Sequence, residues 1–237
     1  MTKPESIETT QLRILDAARI RFKQFGYNKT TLSEIAKDCA MSTANLYRFF
    51  ENKLDIESAL VAEYLSAKES ALQSAIDAPE LTYAEKLLAL VLETIHYGYK
   101  LKTAEPRIAE MMDYVVVQRK EILQKHRRAR QAMLTRLFES GAAAGEFHLA
   151  DAYATAQAVR AAITLFDTPQ LTQAYPLEEL ERLAANVCGL MLYGMTTPLD
   201  SEEPELQEEL EEVLEGDGSE NEGEMEGIET GNENGSM

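Results

Sequence analysis

Two four-residue segments, Thr31-Leu-Ser-Glu34 and Thr82-Tyr-Ala-Glu85, constrain the fold more than any other feature of the chain. In each, a threonine hydroxyl and a glutamate carboxylate three residues apart can satisfy one another's orphan amides, an arrangement that belongs to the start of an α-helix. Other helix punctuation surrounds them. Gly26 follows a run from roughly Thr10 to Phe25 in which Ile14, Leu15, Ala18 and Phe22 recur at helical spacing, and it suits a left-handed C-cap. Ser42 and Asn52 can cap helices from Thr43 to about Phe50 and from Lys53 to around Ile76. Pro106 fits a first helical turn, Asp151 caps an alanine-rich segment to about Phe166, and Pro176 opens a last helix that Pro198 stops. Between Pro106 and Ala143 one kinked or two consecutive helices are expected. No alternating β-branched run with hairpin turns interrupts the series. The expected fold class is all-α: an N-terminal three-helix unit containing a helix-turn-helix, followed by a larger helical domain.

Charge is segregated along this string of helices. The formal net charge is −18, yet from Asp200 onward sixteen acids meet no Lys or Arg, and the remainder holds 25 acids against 23 bases. Residues 1–53 carry nine bases against six acids, so the acidic whole-chain balance does not exclude nucleic-acid binding by the head. The Glu/Gly/Asn-rich segment 199–237 is expected to be a disordered, solvated tail. Cys39 and Cys188, each inside a helical pattern, read as buried reduced thiols. With no secretory h-region and no apolar run long enough to span a bilayer, they predict a cytoplasmic protein. Nucleophile-elbow, P-loop, HExxH and dinucleotide fingerprints do not occur, so neither enzyme activity nor a cofactor is expected. His96, Asp113 and His126 sit on different segments without close ligand spacing, and no metal is expected there.

The third helix carries the functional signal. Leu46, Phe49 and Phe50 share one face, which leaves Thr43, Ala44, Asn45, Tyr47 and Arg48 toward solvent, behind the Ser42 cap and with no acid before Glu51. A surface helix without function would favour Glu and Lys. Asn instead bonds an adenine edge, Arg suits guanine or phosphate, and Thr and Ala methyls can touch thymine. Thr31 at one helix start and Lys53 at another offer amides and a cation to phosphates, which set orientation rather than sequence.

Residues 12–56, through the pieces "ILDAA…F…GY…TT…IA" and "S…NLYRFF…K", resemble the DNA-binding domain of the tetracycline-repressor (TetR) family. The resemblance covers about a fifth of the chain. It implies that Tyr47 and Lys53 touch phosphate while Thr43, Ala44, Asn45 and Arg48 face the major groove. Two positions depart from the family pattern, which usually has glycine where Ala40 and Ala44 stand. Ala40 costs up to about 1 kcal/mol if its turn requires a positive φ, and Ala44 limits how closely the backbone approaches DNA.

The resemblance divides the chain into a DNA-binding head over 1–53, a helical ligand-binding and dimerisation domain over 54–198, and the tail over 199–237. It further implies a homodimer through the last two helices. Independently, Ala152, Ala156, Val159, Ala162, Ile163 and Phe166 on one helix, and Leu183, Val187, Leu190, Met191 and Gly194 on the other, form faces suited to close packing. His96, Tyr97, Tyr99, Met111, Met112, Tyr114, Phe138 and Phe166 are candidate linings for a small-molecule cavity. The run Arg127-Arg128-Ala129-Arg130 reads as a solvated helix face, although it could also draw an anionic ligand. The expected function is a ligand-responsive, dimeric DNA-binding regulator, a repressor released from a palindromic double-stranded operator by a small molecule. The alternatives are a dimeric interaction protein acting through its acidic tail, and a ligand-independent or activating regulator.

Overall fold

The computed structural model describes residues 6–167 and 174–196. The expected tail over 199–237 and the stop at Pro198 lie outside these residues. Among the described residues all regular structure is helical: α1 (Ile7–Phe25), α2 (Leu32–Asp38), α3 (Thr43–Leu46), α4 (Lys53–Ile76), α5 (Tyr83–Ala104), α6 (Pro106–Gln118), α7 (Lys120–Ala143), α8 (Ala152–Ile163), a 3₁₀ turn (Thr164–Asp167) and α9 (Leu177–Thr196).

Local caps place most of these boundaries. Both capping boxes form, with Thr31 around Glu34 and Thr82 around Glu85. The Asn52 side chain accepts from the Asp55 amide at the start of α4, and Asp151 accepts from the Tyr153 and Ala154 amides at the start of α8. Helix α1 begins before Thr10, because the Ser6 hydroxyl accepts from the Thr9 amide at 3.1 Å. Helix α3 ends sooner than its apolar spacing predicts. After Leu46 the amides of Arg48 and Phe49 reach back three residues, to the Asn45 and Leu46 carbonyls at 3.1 and 2.9 Å, which tightens the last turn. The stretch after Pro106 is two helices, broken where Arg119 leaves the helical region at φ −123°, ψ 68°.

Two apolar clusters hold the molecule, and α4 belongs to both. The front cluster joins Ile14, Ala18 and Phe22 of α1, Ile35 of α2, Leu46 of α3, Ile56, Leu60 and Leu65 of α4, and Ile108, Met111 and Val115 of α6. The rear cluster joins Leu72 and Ile76 of α4 to α5, α7, α8 and α9. Helix α4 is 24 residues long, about 36 Å. Polar Lys68 and Glu69 stand on it between the two clusters. Helix α6 is likewise two-faced: Ile108, Met111 and Val115 enter the front cluster, and Ala109, Asp113 and Val116 turn toward the interior between α4, α5 and α7.

Part of the expected pairing surface is core. Ala156, Val159, Ile163 and Phe166 are buried within the chain's own rear cluster. The outward face of α8 and the turn after it carries Tyr153, Ala158, Ala162 and Leu165 instead. On α9, Leu183, Leu190, Tyr193 and Gly194 are exposed, whereas Val187 and Met191 are half-buried. A helical apolar stripe locates a face that must be covered, and here the same chain covers one of the two.

Candidate DNA-reading surface and ligand cavity

The front edge of the head is built by α2, α3 and the start of α4. Thr31 spends its own amide and hydroxyl on the Glu34 carboxylate, at 2.9 and 2.8 Å. What α2 offers an anion is therefore the next amides, those of Leu32 and Ser33, which have no preceding helical turn to bond. The Thr31 amide holds the Glu34 carboxyl below its ordinary range. The Ser42 hydroxyl accepts from the Asn45 amide at 3.1 Å, which fixes the start of α3. From that start Ala44, Tyr47 and Arg48 are exposed, Thr43 and Asn45 are half-buried, and Leu46 and Phe50 point into the core. Among the described residues no acid pairs with Arg48.

Lys53 does more than the sequence indicates. Its ammonium donates to the carbonyls of Tyr27 and Thr30 at 2.9 and 3.1 Å and sits 3.9 Å from the centre of the Tyr27 ring. It ties the α1–α2 loop to α4 with two of its three N–H groups. Behind it lies Glu57, fully buried, whose carboxyl is pushed up to about 7 by burial and drawn back only in part by Lys53. Burial, with Glu57 beside it, likewise pushes the Tyr27 phenol up to about 12. Sequence reading misses Glu57, because an acid in the second turn of an amphipathic helix looks solvated until its neighbours are known. The Ala40 turn between α2 and α3 has φ +52°, so alanine occupies the left-handed conformation that glycine would adopt without strain.

A cavity of about 280 Å³ lies between α4, α5, α6, α7 and the 3₁₀ turn. Its walls are largely apolar, with Tyr64, Leu65, Leu101, Met112, Val116 and Phe166, and one end is strongly polar. There the Asp167 carboxylate bridges the Lys68 ammonium and the Arg130 guanidinium. His126 Nδ1 meets the Glu69 carboxylate at 2.7 Å. Burial pushes the Asp167 carboxyl up, but Lys68 and Arg130 outweigh it and leave the group below its ordinary range. Burial drives Lys68 and His126 down. His126 Nε2 and Arg130 Nη2 are buried without a hydrogen-bond partner among the described residues. Arg130 is thus not on a solvated face: it lies four residues after His126, on the buried side of α7, where Asp167 receives it.

Of the eight expected cavity residues, Met112 and Phe166 line this space. Tyr97 and Met111 border a second hollow of about 320 Å³ between α1, α4, α5 and α6, where Tyr97 packs edge-on against Tyr64 at 5.0 Å. Tyr114 stacks at 5.4 Å on Tyr27 beside the head. His96 is exposed and bonded to Glu181, Tyr99 is half-buried outside the cavity wall, and Phe138 fills the rear core against Phe147. Periodicity marks these as inward-facing but does not say which inward space each one meets.

The cavity and the head share α6. At its start the Arg107 guanidinium donates to the Lys23 and Gln24 carbonyls at the end of α1, beside a Lys23–Glu105 pair at 2.6 Å. At its far end Arg119 bonds Asp55 in the first turn of α4 at 2.7 Å.

Comparison with known proteins agrees with this architecture. Residues 14–60 match the family "Bacterial regulatory proteins, tetR family", and residues 84–188 match "Tetracyclin repressor-like, C-terminal domain". The chain is similar to the uncharacterised HTH-type transcriptional regulator YvkB of Bacillus subtilis, 39% identical over 64 residues, which span 27% of this chain and 34% of that protein. It is also similar to YhgD of the same organism, another uncharacterised HTH-type transcriptional regulator, 24% identical over 151 residues, 64% of this chain and 78% of that one. A bacterial regulatory protein of the tetR family from Rhodococcus RHA1 superposes with a TM-score of 0.52 at 25% identity, over 81% of this chain and 98% of its own. Among the described residues no helix is long and apolar enough to cross a membrane. One family model falls on the head and the other on the helices that enclose the cavity, and the chain belongs to the TetR family: it is a DNA-binding transcriptional regulator rather than an enzyme.

Proposed function

We propose that the protein is a dimeric, ligand-responsive repressor of the cytoplasm, released from a palindromic operator when a small molecule fills the cavity between α4 and α7. Residues 1–53 are its DNA-binding head and residues 54–198 its ligand and dimer domain. Thr43, Ala44, Asn45 and Arg48 face base edges. Thr31, Ser42 and Tyr47 border the phosphates, and Lys53 offers them its remaining N–H while holding the α1–α2 loop in place. The exposed face of α9, with Leu183, Leu190 and Tyr193, meets its copy in the second subunit.

The observation that carries this reading is the double duty of α6. One side, at Ala109, Met112, Asp113 and Val116, forms cavity wall; the other, at Ile108, Met111 and Val115, packs into the front core, while Arg107 at its start bonds the end of α1 in the head and Arg119 past its end bonds Asp55 in the first turn of α4. A ligand that prefers a shifted α6 therefore favours a different head orientation, by no more than its differential affinity for the two arrangements.

The test begins with selection of bound duplexes from a random pool, followed by a screen of metabolites for release. Half-sites one helical turn apart are expected. In the double variant Arg107→Ala, Arg119→Ala the operator should still bind, whereas the ligand concentration needed for release should rise about tenfold. Unchanged release would show that α6 is not the link.

A further inference from the structure

We propose that the cavity ligand is an amphipathic anion: a carboxylate or phosphate group on an apolar body, the acid seated at the polar end formed by Lys68, His126 and Arg127. This rests on the ligand-responsive reading above and names the chemistry of that same site.

The walls set the division of labour. Leu65, Leu101, Met112, Val116 and Phe166 can satisfy only an apolar body. The polar end is crowded on one side, because Lys68 and Glu69 are neighbours on α4, His126, Arg127 and Arg130 follow one another on α7, and Asp167 closes the group. Three basic side chains there, Lys68, Arg127 and Arg130, meet two carboxylates, Glu69 and Asp167. The excess cation is Arg127, exposed at the rim of the cavity, and with Lys68 and Arg130 buried behind it the net charge draws an anion and repels a cation. Asp113, the other acid on the wall, stands with Lys102, and burial raises its carboxyl.

His126 is a second, independent pointer. It is 4% exposed and lines the cavity. Since a carboxylate only accepts, the imidazole proton sits on Nδ1 toward Glu69, and Nε2 is left as a buried lone pair without a partner. A proton taken up at Nε2 makes the ring an imidazolium, which then donates a charge-assisted hydrogen bond to the bound anion. The groups facing that proton are Glu69 and Asp167, which favour it, and Lys68 and Arg130, which oppose it. The ligand's negative charge tips the balance.

Asp167 gives an internal measure of the site. Its two oxygens already hold Lys68 and Arg130 at once, so those cations are spaced for a single carboxylate. An arriving acid competes with Asp167 for Lys68, the cation of the two that lines the cavity. Asp167 ends the 3₁₀ turn that follows α8, so the competition also acts on a helix that contributes to the exposed apolar face.

The experiment uses the full chain without DNA, titrated calorimetrically with hexanoate, octanoate and decanoate. Decyl phosphate, decanol and decylammonium serve as matched probes below their micelle concentrations. The best carboxylate or the phosphate should bind at least about tenfold more tightly than the alcohol or the ammonium. The two acid arms show which headgroup is preferred. Heats in buffers of differing ionisation enthalpy should report proton uptake on binding. His126→Leu should abolish that uptake and remove the preference for acid over alcohol. Asp167→Asn frees both cations, so an acid ligand should raise its melting temperature more than it raises that of the unaltered chain. A purely structural role for Asp167 predicts a smaller rise. Equal binding of decanol, tighter binding of decylammonium, or no binding by any acid in a chain that still binds its selected duplex would overturn the assignment. A chain that takes up the acids yet binds no duplex would leave this assignment standing and sink the repressor reading instead.

Discussion

Ala40 and Glu57 both occupy positions that their residue types resist, and each resists through a different physical cost. Ala40 sits at φ +52°, where its Cβ crowds the backbone and a glycine would not. Ala40→Gly should stabilise the head by up to about 1 kcal/mol, after the extra entropy of glycine in the unfolded chain is deducted. Chemical denaturation reads the difference directly, and a loss of stability would mean the turn does not strain. Glu57 is costly through its charge. In the folded chain it keeps its proton up to about pH 7, whereas unfolded it loses the proton near pH 4.3. The unfolded state thus binds fewer protons across that interval, so stability falls as pH rises through it and levels off above. Glu57→Gln should remove this slope and stabilise the protein at pH 8 by up to about 3 kcal/mol, with little effect at pH 4. Parallel pH profiles for the two proteins would show that Glu57 is charged as folded.

Glycine shows how one residue type takes opposite signs on different helices. A Cβ at Gly141 of α7 would overlap the Phe147 ring, which is itself 3% exposed and packed on Phe138, so nothing can give way. Gly141→Ala should destabilise by about 1–3 kcal/mol. A Cβ at Gly98 of α5 would meet no atom within 4 Å, so Gly98→Ala should gain about 0.5–1 kcal/mol from helix propensity alone. Thermal melts of both variants check the pair, and a shared sign would contradict the packing around one of these glycines. Legibility at this scale follows the range of the interaction. Caps at Thr31, Asn52, Thr82 and Asp151 act over three residues and can be read from the sequence, as can the outward register of Ala44, Tyr47 and Arg48. Lys68 and Asp167 lie 99 residues apart. No local pattern announces that pair, and so Arg130 looks like part of a solvated run. The same limit explains why Ala156, Val159 and Ile163 pass for a pairing face: spacing identifies an apolar side but not its cover.

At the scale of the whole molecule, the two cores share α4, and α6 packs into the front core while lining the cavity, so the cavity wall is also part of the scaffold of the head. In the proposed mechanism that continuity is the route of the ligand signal, with no long-range wire, since one helix has two packed sides. The remaining requirement is a second copy. A lone head with a four-residue recognition helix has little surface with which to hold a duplex, and a symmetric pair doubles it at fixed spacing. The exposed face of α9 is where this requirement is open to test, because Leu190 is 78% exposed in the single chain and its replacement does not disturb the core. The decisive measurement is sedimentation of the full chain and of Leu190→Glu, each with and without the selected palindromic duplex. The account predicts two chains per duplex for the unaltered protein, and for the variant a folded single chain whose operator affinity has collapsed. A variant that sediments as one chain and still binds the palindrome as tightly would contradict it.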